Sequence, residues 1–154
     1  MRVLIAADHA GFEVKEMVKK ELEQKEYIII DFGCDSKESC DYPDYAHELC
    51  QNMNDEEDIG ILICGSGVGM SIVANRYPHV RCALCTDIDT ALMSRIHNNA
   101  NVLALGARNG DIHLLVHMVI CFLNKPVIME DRHLRRIEKI NNGLDIKSME
   151  KDNN

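Results

Sequence analysis

Short unbroken apolar runs alternate with longer segments in which apolar residues recur every three or four positions. Val3–Ala7 is the first such run. From Gly11 to Gln24, Phe12, Val14, Met17, Val18 and Leu22 recur among Lys and Glu, which predicts an amphipathic helix. Tyr27–Ile30 is a second strand-like run ending at Asp31-Phe32-Gly33, and the polar residues 34–42 predict a loop. Pro43–Met53 predicts a helix with proline in its first turn, where the missing N–H is not needed. Ile59–Cys64 predicts a buried strand, Ser66–Asn75 a helix entered through a glycine turn, and Val80–Cys85 a fourth strand. Asp87–His97 predicts a helix capped by Thr86 or Asp87, and Ala100–Leu105 a fifth strand. Asn109–Leu123 predicts a helix that stops before Lys125-Pro126, and Glu130–Ile140 a last helix. The polar residues 143–154 predict a frayed, disordered tail beyond a single domain over 1–142.

Strands that are apolar throughout, alternating with helices, predict an α/β fold: a five-stranded, mainly parallel sheet with helices on both faces. Ligands of such sheets bind outside the carboxyl ends of the strands. Chemistry is therefore expected at Asp8-His9, Gly33, Cys64-Gly65-Ser66-Gly67, Thr86-Asp87 and Gly106-Ala107-Arg108.

The stretch Cys64-Gly65-Ser66-Gly67-Val68-Gly69-Met70-Ser71 is the most informative. Glycines at alternate positions let several backbone N–H groups point one way, and the following helix adds the positive end of its dipole. That is a cradle for a phosphate or for an oxyanion formed during reaction. A dinucleotide fingerprint needs G-x-G-x-x-G, usually after the first strand. Here the spacing is G-x-G-x-G after the third, although Asp87 lies 22 residues beyond Gly65, near where a ribose-binding acid belongs. A non-catalytic nucleotide- or phosphate-binding module is the competing reading. Cys64, at a strand end facing a helix start, suits a base or nucleophile as well as a small buried residue.

Composition narrows the partners. A net charge of −8 over 154 residues argues against general nucleic-acid or membrane binding, so a phosphate ligand requires locally gathered cations. Arg108 follows the fifth strand, and Arg132 and Arg136 share a face of the last helix beside His133, with Arg135 next to them. Seven cysteines without a signal peptide predict free thiols in a reducing, cytoplasmic setting. Cys82 and Cys85 sit three apart on a strand and should face opposite sides, which disfavours a redox pair. His113 and His117 are four apart on one helix but lack a third ligand or the Glu of H-E-x-x-H, so no metal is expected.

Five strings in order make the chain similar to a known family. Ile5-Ala6-Ala7-Asp8-His9-Ala10-Gly11-Phe12, Asp41-Tyr42-Pro43 with Tyr45-Ala46, Ile61 through Ser71, His97-Asn98 with Asn101 through Arg108, and Arg132-His133 with Arg136 resemble the type B ribose-5-phosphate isomerases, a family that includes galactose-6-phosphate isomerase subunits. The resemblance spans residues 2 to about 141. It implies a Rossmann-like three-layer α/β/α fold. It also implies a homodimer (or homotetramer) with active sites at the subunit interface, and metal- and cofactor-free aldose–ketose isomerisation through an enediolate. By position it implies Cys64 as the base moving a proton between C1 and C2, and Ser66 with the amides of Gly65, Gly67, Val68 and Gly69 around the enediolate oxygen. His97 would open the furanose ring with Asp8 nearby, and Tyr42 and Asn98 would contact sugar hydroxyls. His9, Arg108, Arg132, His133 and Arg136 would surround the phosphate. Ser66 stands where many members have Thr, and the apolar Met70 stands near where some members carry a glutamate base. The substrate reading is ribose 5-phosphate, with a six-carbon phosphate such as allose or galactose 6-phosphate as the alternative.

Overall fold

The computed structural model describes residues 2–54, 57–125 and 130–142; the tail expected at 143–154 lies outside them. The described residues form β1 (Arg2–Ala7), α1 (Phe12–Glu23), β2 (Ile28–Asp31), α2 (Tyr42–Gln51), β3 (Asp58–Cys64), α3 (Val68–Ala74), β4 (Cys82–Leu84), α4 (Ile88–Asn98), β5 (Val102–Gly106), α5 (Ile112–Leu123) and α6 (Asp131–Asn142). The five strands make one all-parallel sheet in the order β2-β1-β3-β5-β4.

Period-two alternation divides the core into two layers. Val3, Ile5, Ala7, Ile59, Ile61, Ile63, Leu103 and Leu105 pack with Val14, Val18 and Leu22 of α1, Ala91 of α4 and the apolar stripe of α5. Leu4, Ala6, Leu62, Cys64, Val102 and Ala104 face the other way, onto Ala46 and Leu49 of α2 and Met70 and Val73 of α3. All seven residues of β3 are buried, as a central strand covered on both faces must be. The side chain of Cys64 therefore points towards α2 and α3. Cys85 belongs to one layer while Cys82 packs against the other, as their spacing predicts.

Most boundaries differ from expectation by one to three residues: α3 starts at Val68 rather than Ser66, and β5 runs Val102–Gly106 rather than Ala100–Leu105. β4 is three residues long; just before it the Arg81 N–H donates to Asn101 Oδ1 at 2.7 Å while the Arg81 carbonyl accepts from the Asn101 and Val102 N–H groups at 3.1 and 3.3 Å. α5 begins at Ile112, since Asp111 caps it by accepting from the N–H groups of His113 and Leu114 at 2.9 and 3.1 Å.

Two ion-pair groups tie the sheet together. Arg2 and Asp58, opposite each other in the β1–β3 register, form a two-pronged pair with Nε–Oδ1 2.7 Å and Nη2–Oδ2 2.6 Å. Buried Lys15 reaches Asp31 Oδ2 at 2.6 Å, and Lys19 reaches the same oxygen at 2.7 Å, which fixes the end of edge strand β2. Burial alone would raise the Asp31 pKa, but hydrogen bonds from Lys15, Lys19 and the Gly33 N–H hold it below the usual carboxylate range.

The order of connections places a ligand crevice. From β1 the chain steps outward to β2, then returns to lay β3 on the opposite side of β1. The carboxyl ends of β1 and β3 therefore flank the point where the winding reverses.

Candidate active site at the ends of β1 and β3

Asp8 and Cys64 emerge side by side, because Ala7 pairs with Ile63 and the Asp8 N–H donates to Ile63 O at 3.2 Å. A cavity of about 450 Å³ opens there, lined by Asp8, His9, Ala10, Tyr42, Cys64, Gly65, Ser66, Val68, Gly69, Ile72 and Arg108. Its size is that of a small-metabolite site.

The glycine turn is built around the sulfur. Gly67 adopts φ 77°, a left-handed conformation that suits glycine, and its N–H donates to Cys64 Sγ at 3.1 Å. Cys64 is 4% exposed, so its thiol sits in the cavity wall with little water around it. Val68 N–H is taken by Ser66 Oγ at 3.3 Å, and the first helical bond of α3 runs from Ser71 N–H to Gly67 O at 3.1 Å. The N–H groups of Gly69 and Met70 precede that bond in the first turn, so they have no intrahelical acceptor. Of the amides expected to form an anion hole, those of Gly67 and Val68 are thus engaged by the turn itself.

The other lining residues have distinct surroundings. Asp8 is buried, and its Oδ1 accepts from the N–H groups of Ala10 and Gly11 at 3.0 and 3.1 Å, so it holds the β1–α1 turn as well as facing the cavity. His9 Nδ1 accepts from the Cys40 N–H at 3.3 Å, which leaves the ring hydrogen on Nε2. Tyr42, in the first turn of α2 and 38% exposed, lays its ring over Gly69, where a Cβ would overlap it. The Arg108 guanidinium lies against Gly65, and the Arg108 backbone N–H donates to Gly65 O at 3.1 Å.

The remaining expected residues lie elsewhere on the chain. His97, Asn98, Arg132, His133 and Arg136 are not in the lining of this cavity. His97 on α4 and His133 on α6 stack with centroids 4.5 Å apart. His133 is buried, and among the described residues its Nε2 has no hydrogen-bond partner; Glu130 Oε2 is 3.8 Å away, too far to serve. Burial, His97 and Arg132 lower the His133 pKa, so its ring is neutral at neutral pH. Arg132 pairs with Glu130 at 2.8 Å, and Arg132 and Arg136 are exposed. Asn98 lines a different cavity of about 470 Å³ with Arg81 and Asn141. Of the residues expected after the remaining strands, Asp87 caps α4 by accepting from Thr90 N–H at 2.7 Å and does not line the site cavity.

Three participants were not expected from the sequence. Ala10 and Ile72 complete the lining, and Asn109 Nδ2 donates to Ser66 O at 3.3 Å, bracing the glycine turn. Only the last had a sequence cue, its place directly after Arg108. Among the described residues, no group of three or more His, Cys, Asp or Glu is placed to hold a metal. His113 and His117 are both exposed on α5, and no described helix is long and apolar enough to cross a membrane.

Comparison with known proteins agrees with this geometry. Residues 3–140 match the Ribose/Galactose Isomerase family. Ribose-5-phosphate isomerase B of Escherichia coli is 37% identical over 140 residues, covering 90% of this chain and 93% of that protein. A crystal structure of a ribose 5-phosphate isomerase from Thermotoga maritima superposes with a TM-score of 0.86 at 48% identity, over 92% of this chain and 98% of that one. Ribose-5-phosphate isomerase B from Mycoplasma genitalium, solved with bound ribulose-5-phosphate, superposes with a TM-score of 0.87 at 37% identity, over 92% and 94%. Sheet order, glycine turn and cavity thus sit within a chain that belongs to the ribose/galactose isomerase family and is a sugar-phosphate isomerase of the ribose-5-phosphate isomerase B type.

Proposed function

We propose that the chain interconverts D-ribose 5-phosphate and D-ribulose 5-phosphate through a cis-enediolate, with Cys64 as base and no metal. One observation carries this reading: the Cys64 sulfur lies in the cavity wall with the Gly67 N–H directed at it at 3.1 Å. Ribulose-5-phosphate in the Mycoplasma genitalium relative supports the substrate class.

A proton alpha to a carbonyl is weakly acidic, so its removal needs a positioned base and immediate stabilisation of the oxyanion. The Cys64 thiolate takes the proton from C2 of the open-chain aldose, and its electron pair forms the C1–C2 double bond. The carbonyl oxygen becomes the enediolate oxygen, which the Ser66 hydroxyl and the unengaged Gly69 and Met70 N–H groups meet. The O2 proton passes to O1 within the cis-enediolate, and returning the carbon-bound proton to C1 then leaves the carbonyl at C2, gives the ketose and restores the thiolate. His9, through Nε2–H, and Arg108 hold the anionic end of the substrate, while Tyr42 meets a sugar hydroxyl.

A second copy of the chain supplies His97 for ring opening, Asn98 for a hydroxyl, and Arg132, His133 and Arg136 for the phosphate. The support is that these residues lie away from the cavity on their own chain, and that Val68 and Ile72 at its rim are 45% and 55% exposed. A ligand or partner group there would satisfy the orphaned His133 Nε2. Seven free thiols suit a cytoplasmic enzyme.

The test is the initial rate on ribose 5-phosphate with excess chelator, beside allose and galactose 6-phosphates. Full activity with chelator and preference for the pentose are expected. A requirement for added divalent metal would overturn the mechanism, and faster turnover of a hexose phosphate would reassign the substrate. Gly69→Ala pushes the Tyr42 ring out of place and is expected to raise KM for ribose 5-phosphate about 2–10-fold, the worth of one hydrogen bond. An unchanged KM would remove Tyr42 from the substrate contacts.

A further inference from the structure

Residues 34–40 form a loop pinned at both ends to the carboxyl end of β1. The Cys34 N–H donates to Ala7 O at 3.0 Å, and the Cys40 N–H donates to His9 Nδ1 at 3.3 Å. These anchors are two residues apart, so the loop closes on itself and brings its terminal cysteines near enough to interact electrostatically. Cys34 is 5% exposed, with its Sγ on Ser36 O at 3.3 Å, whereas Cys40 is half-buried and its Sγ lies 3.8 Å from His9 Nδ1. The pair thus combines an accessible thiol beside an imidazole acceptor with a sheltered second thiol in reach. Residues 35 and 37–39 between them are exposed, held by the Lys37–Glu13 ion pair and the Glu38 N–H to Ser36 Oγ bond at 3.3 Å.

We propose that Cys34 and Cys40 are an oxidisable pair: a hydroperoxide converts them to a disulfide, and the disulfide draws Cys40 off His9 and weakens sugar-phosphate binding. This rests on the reading of His9 as a substrate contact. His9 Nδ1 accepts the Cys40 S–H proton as sulfur attacks the peroxide oxygen; the O–O bond breaks, water leaves, and Cys40 becomes a sulfenic acid. Cys34 then attacks the Cys40 sulfur, the S–S bond forms, and hydroxide leaves as water with the Cys34 proton. Two thiols are oxidised, and one hydrogen peroxide is reduced to two waters. Cys64 takes no part, so the oxidised enzyme keeps its base. A transient, regulatory disulfide is the kind a reducing compartment permits.

The experiment uses the full chain treated with hydrogen peroxide, then alkylated and digested with trypsin. Cleavage after Lys37 falls between the two cysteines, so the disulfide joins peptide 26–37 to peptide 38–76, and fragment-ion sequencing distinguishes Cys40 from Cys50 and Cys64 within the latter. That linked pair is expected, lost on treatment with dithiothreitol, together with a reversible rise in KM for ribose 5-phosphate of about 2–10-fold. Cys34→Ser is expected to give neither. Absence of the Cys34–Cys40 link, or the same reversible KM shift in Cys34→Ser, overturns the proposal. Oxidation of Cys64 would instead lower kcat. Failure of the isomerase reading shows separately, as absent turnover by the fully reduced enzyme.

Discussion

Cys64→Ala is expected to lower kcat on ribose 5-phosphate by roughly two to four orders of magnitude, with KM changed little. The base acts only as the C–H bond breaks, so its removal raises the barrier without removing a ground-state contact. Alanine fits the site: Cys64 lies against Leu62, Met70 and Ala104 at the end of a buried strand, and losing one sulfur opens only a small cavity. Melting should therefore shift modestly, and substrate should still protect the variant from unfolding. Steady-state kinetics and a ligand-dependent melting curve check both halves. Turnover within a few-fold of wild type would show that the base is another group. The same variant tests the shared site: mixed and refolded with equal Arg136→Ala, it should recover about a quarter of wild-type activity. In the proposed dimer with shared sites, half of the assemblies are then mixed, and each of those carries one intact site. No recovery would place Cys64 and Arg136 on one chain.

What was legible in the sequence follows from which interactions are local. The unbroken apolar character of runs such as Ile59–Cys64 marked strands buried on both faces, and the strand-end rule then led to Asp8, Cys64 and Arg108, which line the cavity. The glycine spacing likewise marked the turn that presents Gly67 N–H to sulfur. Partners far apart in sequence were not legible. Cys40 comes to His9 across 31 residues of helix, strand and loop, and no periodicity encodes that approach. The His97–His133 stack depends on how α6 crosses α4. The Arg81 N–H at the head of β4 goes to the Asn101 side chain, 20 positions later. Asp8 was expected for its chemistry, but its place at the head of α1 also makes its carboxylate a turn cap. One position serves two demands there, and composition cannot separate them.

Asp58→Ala is expected to destabilise the fold by about 3 kcal/mol while leaving the activity of folded enzyme intact. The Asp58 side chain is fully buried at the amino end of β3, opposite Cys64, where it accepts from Arg2 at 2.7 and 2.6 Å and from the Asn54 N–H at 2.8 Å. Breaking a buried pair typically costs about 3–5 kcal/mol because the surviving charge is stranded. Arg2 is 42% exposed and can turn to water, which puts the cost at the low end. The melting temperature should fall by about 6–12 °C for a chain of this length. The pH dependence gives a second reading. Burial would raise the Asp58 pKa, but the Arg2 and Asn54 hydrogen bonds hold it below the ordinary value. A depressed carboxylate contributes fully above its unfolded pKa of about 3.9 and loses that contribution as pH falls through its folded value. The gap between wild type and Asp58→Ala should therefore be constant from pH 6 to 8 and close only in acid, well below pH 4. Urea unfolding at pH 7 and pH 3 measures it. Equal midpoints at pH 7 would show that water serves Arg2 as well as Asp58 does, and that the β1–β3 register is held by the ladder and the core alone.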